Sequence, residues 1–316
     1  MAFLIKEVIE QEYLDYSFRN NTIFDSVQFN KLNAHKCKKI LYLLFMDDKK
    51  TRFGLIGGIL ENGVFKAPFS SPFSWLLDVK ENKMIDYQMA IKSLIDHLKL
   101  KKEITGIYIT LPPGFYAESH IANLQNALYN NDFKLDKFDV NYHYNMYQFT
   151  DNYCNDIDIK ARQKLKASLK MNLSFQKIEE EIDIINAYSI IKANREAKGY
   201  PLHMSLEDVL KTIKIVPADV FIVKNADEFC IASAFIFNVT TNIVLVVYWG
   251  NLPGTEYLKP MNYLAYKIFE YYKLHNKKIV DIGPSTENSI PNYGLCDFKQ
   301  GIGCDTSIKM SFCLKF

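Results

Sequence analysis

The sequence is poor in arginine. Its 38 basic residues include only Arg19, Arg52, Arg162 and Arg195, and the rest are lysine. Arginine presents a planar fork that holds carboxylate or phosphate bidentately, so a site built for such an anion has few places to be. Tryptophan is scarcer, with two in 316 residues. The six cysteines, Cys37, Cys154, Cys230, Cys296, Cys304 and Cys313, form no Cys-x-x-Cys pair and no Cys/His cluster at zinc spacing. No metal is therefore expected, and buried thiols in a reduced, cytoplasmic protein are the simplest reading. Long apolar runs are also missing. The longest, Ile243 to Trp249, has the length of a strand and is far short of the roughly 20 residues that span a bilayer. The opening MAFLIKEVIEQEY turns charged at Lys6, too early for a signal peptide. Net charge is only +2, so nothing global calls for nucleic acid or a membrane surface.

What is present is an ordinary globular mixture, 48% hydrophobic and 23% charged, in a chain long enough for two domains. Ile40–Phe45 and Phe53–Leu60 read as strands, and Glu61-Asn62-Gly63 as a hairpin turn into a third strand, Val64–Phe69. Asp86–Leu100 has Ile91, Leu94, Ile95 and Leu98 on one helical face. A strand at Ile104–Leu111, a helix near Ser119–Tyr129 and a strand at Phe138–Phe149 come next. The second half repeats that order. Val220–Lys224, Cys230–Asn238 and Asn242–Trp249 are strands, Asn262–His275 a helix, and Lys278–Ile282 a strand. Pro291–Gln300 is a helix and Ser307–Leu314 a last strand. The strands on either side of each half's first long helix should be parallel, joined by a right-handed crossover. A boundary near residue 152 gives domains 1–152 and 153–316. Between the halves, Asp158–Met171 and Ile182–Lys198 read as helices, and Ser205 with Asp208 as a capping box.

Few residues stand out for chemistry. Ile184, Tyr188, Ile191 and Arg195 fall on one helical face. Arg195 then either snorkels at a helix C-terminus or clamps an anion at a cleft edge. The strand ending VVYWG carries Tyr248, Trp249 and Gly250, and NLPGTEYLKPMN leads from it into a helix near Asn262. Such a connection either presents backbone N–H groups to an anion or is a plain turn beside a buried Trp. There is no GxxxxGK[ST], no strand-GxGxxG-helix unit and no G-x-S-x-G elbow. Gly301-Ile302-Gly303 comes after a helix and reads as its cap. The six histidines have no motif partner. Glu207, Asp208 and Glu256 are candidate bases, although charged residues of this kind are more often simply solvated. Lys299, at the edge of the apolar face formed by Leu295, Phe298 and Ile302, serves either an anion or its own helix end.

In combination, YWG, then DIGPST on the next strand, then PNYGLCDFKQGIG resemble the GNAT acyltransferase superfamily. More narrowly they resemble its tandem branch that includes the Fem-type peptidoglycan aminoacyltransferases. The resembling positions are Asp281, Gly283, Gly294, Leu295, Phe298, Lys299 and Gly303, with ANREAKGYPL (Ala193 to Leu202) upstream. They cover residues 156 to 316; the first half agrees only in element order. The resemblance implies an α/β (α+β) chain of two tandem GNAT-like domains, each a mixed central sheet flanked by helices. It implies a V-shaped cleft beside VVYWG and direct transfer of an acyl group from a thioester or similar donor to an amine. By analogy Lys299 and Arg195 would contact anionic groups, and Tyr248 or Tyr293 would return a proton to the leaving group. Trp249, Gly250, Asn262, Asp281, Ser285, Thr286 and Asn292 complete the candidate set for substrate or cofactor. The pyrophosphate loop usual in GNAT proteins, Gln/Arg-x-x-Gly-x-Gly/Ala, is absent between Gly250 and Asn262. That speaks against acetyl-CoA, while another acyl-CoA stays open. The acceptor expected is a small-molecule or peptide amine, and aminoacyl-tRNA is the only nucleic acid left open as a partner. The rival reading is a non-catalytic ligand-binding protein that keeps the fold.

Overall fold

The computed structural model describes residues 2–48 and 50–316. The first stretch of the chain runs β1 (Leu4–Val8), α1 (Glu10–Leu14), α2 (Val27–Leu32), β2 (Lys39–Asp47), β3 (Lys50–Ile59), β4 (Val64–Ala67), β5 (Leu77–Asp78), α3 (Met84–Lys99), β6 (Gly106–Thr110), α4 (Glu118–Asn130) and β7 (Lys134–Asn145). Then come α5 (Tyr153–Asp156), α6 (Ile159–Ser168), β8 (Ser174–Ile178), α7 (Glu181–Lys198), α8 (Leu206–Ile213), β9 (Ala218–Lys224), β10 (Cys230–Asn238), β11 (Ile243–Asn251), α9 (Pro260–Leu274) and β12 (Ile279–Pro284). Two short strands, β13 (Thr286–Glu287) and β14 (Ile290–Pro291), precede α10 (Tyr293–Gly301) and β15 (Asp305–Lys315). The expected order of elements is present. β1, α1, α2 and β8 were not anticipated, because five or six residues give too little periodicity to read.

The chain forms two compact units. One is Met1–Val140 with Asn288–Ile290 and Ser307–Phe316; the other is Asn141–Glu287 with Pro291–Thr306. These differ from a single cut near residue 152. The reason lies in strand pairing. β15, last in the chain, pairs antiparallel with β6 in the first unit, Phe312 opposite Ile109. Residues 141–145 of β7 pair antiparallel with β12 in the second, Tyr144 opposite Val280. Each unit thus finishes its sheet with a strand from the other half of the sequence. Such pairing is non-local, and residue pattern along the chain does not encode it.

Strand pairing within each unit is mixed. In the first unit the order is β1-β2-β3-β4-β6-β15, with β5 beside β3, and only β4 and β6 are parallel. Its core joins Leu43, Phe45, Phe53, Phe65 and Trp75 to Ile91, Leu94 and Leu98 of α3. The apolar face expected of that helix is the face that is buried. In the second unit the order is β7-β12-β11-β10-β9-β8, and only β11 and β12 are parallel. Its α7 buries Ile184, Tyr188 and Ile191 against Val220, Ile222, Phe235 and Tyr248.

Local chemistry explains where the helices of the second unit stop and start. The first turn of α7 holds Glu181 and Asp183, and its last turn Arg195 and Lys198, both favourable to the helix dipole. Gly199 ends it at φ +67°, a left-handed turn that glycine adopts freely. Ser205 and Asp208 form the anticipated capping box of α8. Among the described residues no helix is long and apolar enough to cross a membrane.

Candidate functional site

The parallel ladder between β11 and β12 is short. Ile243, Val244 and Leu245 face Ile279, Val280 and Asp281, and there it ends. β11 continues to Asn251 with only β10 beside it. The register with β10 slips between Tyr248 and Val246, so Val247 is an extra residue in β11. A bulge of this kind bends a strand and increases its twist. β12 bends as well, its register with β7 shifting between Asp281 and Gly283. The two strands therefore part beside the VVYWG segment.

The bend in β12 explains three of the candidate residues. Asp281, 1% exposed, accepts from Asn141 Nδ2 at 2.8 Å and from Gly283 N–H at 2.9 Å. Gly283 has φ +73°, a conformation that side chains rarely adopt. The bend turns the carbonyls of Ile282, Gly283 and Pro284 toward one point, and Lys299 fills it. Its ammonium donates to all three at 3.0, 2.8 and 3.0 Å. Lys299 is 2% exposed, and the Tyr142 ring lies 5.6 Å from Nζ. Burial lowers its pKa to about 8. Lys299 was expected to contact an anionic group of a ligand; the partners it has here are these backbone carbonyls. A lysine ammonium has three donors, and here all three are spent on backbone. Asp281 likewise braces the bend.

Arg195 has the opposite environment. Its guanidinium lies 5.4 Å from the Tyr248 ring and 5.9 Å from the Tyr200 ring. Among the described residues it forms no ion pair with a carboxylate. Burial lowers its pKa, offset by the two tyrosines. The turn at Gly199 places Tyr200, whose N–H bonds the Arg195 carbonyl at 2.9 Å. Tyr200 OH in turn accepts from Asn292 Nδ2 at 2.7 Å. Asn292 caps α10 by accepting from Leu295 N–H at 3.1 Å, and its own N–H reaches the Ser285 carbonyl at 2.9 Å. Arg195, Tyr200, Asn292 and Ser285 are thus linked in one chain of contacts. Ser285 is 2% exposed, and among the described residues its hydroxyl has no hydrogen-bond partner.

Of the remaining candidates, Tyr248 is buried, and its oxygen accepts from Met204 N–H at 3.2 Å. Burial raises its pKa, so the phenol stays protonated. Trp249 meets Phe298 edge-on, with centroids 5.8 Å apart. Gly250 is required by packing, since a Cβ there would lie 2.8 Å from Asn194 Cγ. Asn194 reaches across to the Asn251 carbonyl at 2.7 Å. Thr286 and Asn262 are buried. Tyr293 stands 75% exposed at the start of α10, and it is Tyr200 that joins Tyr248 beside Arg195. The candidate bases Asp208 and Glu207 are engaged: Asp208 caps its helix and Glu207 pairs with Lys211 at 2.6 Å.

The connection between β11 and α9 directs several of its backbone N–H groups inward. α9 opens with Pro260, which has no N–H, and the N–H groups of Asn262 and Tyr263 both donate to the Lys259 carbonyl. The loop also carries an acid, Glu256, which accepts from Asn251 Nδ2 at 3.2 Å.

Two features are not evident from the sequence. Tyr200 lies inside the ANREAKGYPL stretch, but only the Gly199 turn shows that it faces Arg195. The second is a run of lysine. Lys160, Lys164 and Lys166 of α6, with Lys170 beyond it, are all exposed, and between Asp158 and Glu179 there is no acidic residue. The near-neutral total hides this local excess. Among the described residues no His, Cys, Asp and Glu gather as a metal site.

No protein-family model matches the chain, and no curated protein matches it in sequence. Solved structures do. FemX superposes with a TM-score of 0.71 at 12% identity, covering 99% of this chain and 97% of its own. The tandem GNAT protein from the clavulanic acid biosynthesis pathway gives 0.57 at 9%, covering 99% and 98%. L-PGS from Bacillus licheniformis gives 0.55 at 10%, covering 86% and 83%. At this identity the likeness is one of fold: the chain has the GNAT-like, Fem-like architecture along its full length.

Proposed function

We propose that the protein transfers an acyl or aminoacyl group from an activated donor to an amine, in the second unit where β11 and β12 part. The observation that carries this reading is Arg195, a half-buried cation with no carboxylate partner among the described residues, set between two tyrosine rings beside the parted strands. An unpaired, desolvated guanidinium is costly to keep, and an anionic group of donor or acceptor offsets that cost. In the transfer the amine nitrogen attacks the acyl carbonyl. The new C–N bond forms, the bond to the carrier oxygen or sulfur breaks, and the leaving atom takes a proton. Tyr248 supplies that proton: its lone pair is held by Met204 N–H and its phenol is protonated at the start. The amine gives its own proton to water, and water returns one to Tyr248. Positioning and electrostatics carry the step without a covalent intermediate.

The donor class divides on the same structure. An acyl-CoA lacks a phosphate cradle after β11, whereas an aminoacyl-tRNA would meet the exposed lysines of α6 and Lys170. The acceptor is a small molecule or peptide. A ligand-binding protein without turnover is the second reading, favoured by the engagement of both Glu207 and Asp208.

The test is donor consumption. Wild-type protein with aminoacyl-tRNA or acyl-CoA and a mixture of amines and peptides should release free carrier. Arg195→Met should lose at least roughly tenfold in kcat/KM, about 1.4 kcal/mol of transition-state binding, with its stability within about 0.5 kcal/mol of wild type. Binding of an anionic peptide that depends on Arg195, with no carrier released from any donor, would favour the second reading.

A further inference from the structure

We infer that the Tyr200 hydroxyl is a second donor to the anion that Arg195 receives, so that the guanidinium and this phenol together bind one carboxylate or phosphate group. The inference rests on the transfer reading of the Arg195 site and deepens it, because it names the residue that completes the anion site.

The cap of α10 decides where the Tyr200 proton points. Asn292 has one side-chain oxygen, and Leu295 N–H occupies it at 3.1 Å. That capping bond fixes which end of the amide is oxygen. The end that faces Tyr200 at 2.7 Å is therefore nitrogen, a donor only. The phenol oxygen accepts this bond, and its own proton must point elsewhere. Among the described residues the Tyr200 hydroxyl makes no other hydrogen bond. The neighbouring phenols are placed differently. Tyr188 donates to the Met204 carbonyl at 2.9 Å. Tyr248 is 6% exposed and Tyr200 38%, so Tyr200 is the more open of the two phenols beside Arg195.

Tyr200 is also held in place from both ends. Gly199, at φ +67°, turns the chain out of α7, and Tyr200 N–H closes that turn on the Arg195 carbonyl at 2.9 Å. Pro201 follows, which disfavours helical backbone at Tyr200. The phenol oxygen is tied to Asn292 at the far end. The ring lies 5.9 Å from the Arg195 guanidinium, within the span of a carboxylate or phosphate that has a hydrogen bond on each side. A donor fixed in advance costs little further ordering when the anion arrives.

Phenylglyoxal, which modifies accessible guanidinium groups, reads this site through peptide mass spectrometry of the full chain. With four arginines the map is simple, and Arg52, ion-paired with Asp47 and Asp86, is the internal control. The probes are inorganic phosphate and an N-acetylated dipeptide with a free carboxylate. At least one should protect Arg195 in wild type, and the same dipeptide with its carboxyl amidated should not. Protection by phosphate assigns a phosphorylated group to the site, protection by the dipeptide a peptide carboxylate. Tyr200→Phe keeps the ring, so labelling without probe should match wild type. Its half-protecting probe concentration should rise at least roughly tenfold, the scale of one hydrogen bond to a charged group. Asn292→Asp keeps the cap but turns an acceptor toward Tyr200, which spends the phenol proton. Protection should weaken there too, and that weakening should largely vanish in a Tyr200→Phe background. An equal loss in both backgrounds is charge repulsion alone and overturns the inference. Equal protection of wild type and Tyr200→Phe, or no protection by either probe, also overturns it, and carrier release that depends on Arg195 would then leave acyl transfer standing. Weakened protection in Tyr200→Phe, in a protein that releases no carrier from any donor, supports the inference and sets the transfer reading aside.

Discussion

In the first unit the chain leaves β4 at Ala67 and soon returns. Ser74 N–H donates to the Thr110 carbonyl at 2.9 Å, and Leu77 and Asp78 pair with Gly54 and Phe53. Phe73, Trp75 and Leu76 of this segment are all buried. In the second unit the equivalent strand, β11, runs on past its last partner in β12 and bends at Val247. One order of elements thus yields a closed aromatic core in one unit and two parted strands in the other. The difference teaches that this arrangement of strands does not by itself make a site. The deciding segment is the end of the central parallel strand and the loop after it. A long apolar loop folds back and fills the space, whereas a bulged strand leaves it for Arg195, Tyr200 and Tyr248.

Each unit buries charged groups of its own. The first holds Asp25, whose Oδ2 accepts from Thr22 N–H at 2.9 Å and Thr22 Oγ1 at 2.7 Å. Burial raises its pKa to about 6. The second holds Lys299 within its three carbonyls. Each is a local structural device. Arg195 is different, because no described carboxylate satisfies it.

The largest effect expected from breaking this comparison is at Trp75. Trp75→Ala should cost about 3–5 kcal/mol of unfolding free energy, read by urea titration, because the side chain fills the place that stays unfilled in the second unit. A cost under about 1 kcal/mol would show that the loop does not close that unit. Next is Lys299→Met, which keeps the stem and removes three donors. It leaves three carbonyls of the β12 bend unpartnered and should cost about 2–4 kcal/mol. Unchanged stability with weakened ligand binding would return Lys299 to the role of anion ligand.

The last effect, similar in size, is the pH dependence of the first unit. The folded pKa of Asp25 lies above the ordinary carboxylate value of 3.8, so the fold favours its protonated form. The folded state then binds more protons than the unfolded chain between about pH 4 and 6. Stability from this group is full at the acid end and is lost as pH rises through about 6. The expected loss is about 3 kcal/mol, and Asp25→Asn should flatten that slope in urea titrations across the window. A slope that persists in the variant assigns it to another group.

Much of the site was legible in the sequence, and unevenly so. The face Ile184, Tyr188, Ile191 and Arg195 is set by helical spacing, and the structure buries the first three. The VVYWG strand and the absence of a pyrophosphate loop after it were readable for the same reason, since both are properties of a few adjacent residues. Lys299 was not. Its partners are carbonyls of a bend seventeen to fifteen residues earlier, and a lysine in a helix looks the same whether it meets a phosphate or a backbone. The lysine run of α6 was legible in principle, in the stretch without acid, but the net charge of the whole chain averages it away.

The sequence by itself determined the order of elements, the caps and turns at Gly199 and Ser205, and the amphipathic faces of α3 and α7. These arise from interactions within about four residues, which the chain makes wherever it is placed. Only the tertiary structure decided which unit each final strand joins, where β11 and β12 part, and which cations are spent on backbone. Those outcomes rest on pairings between segments far apart in the chain. Residue pattern permits several such pairings, and packing selects one.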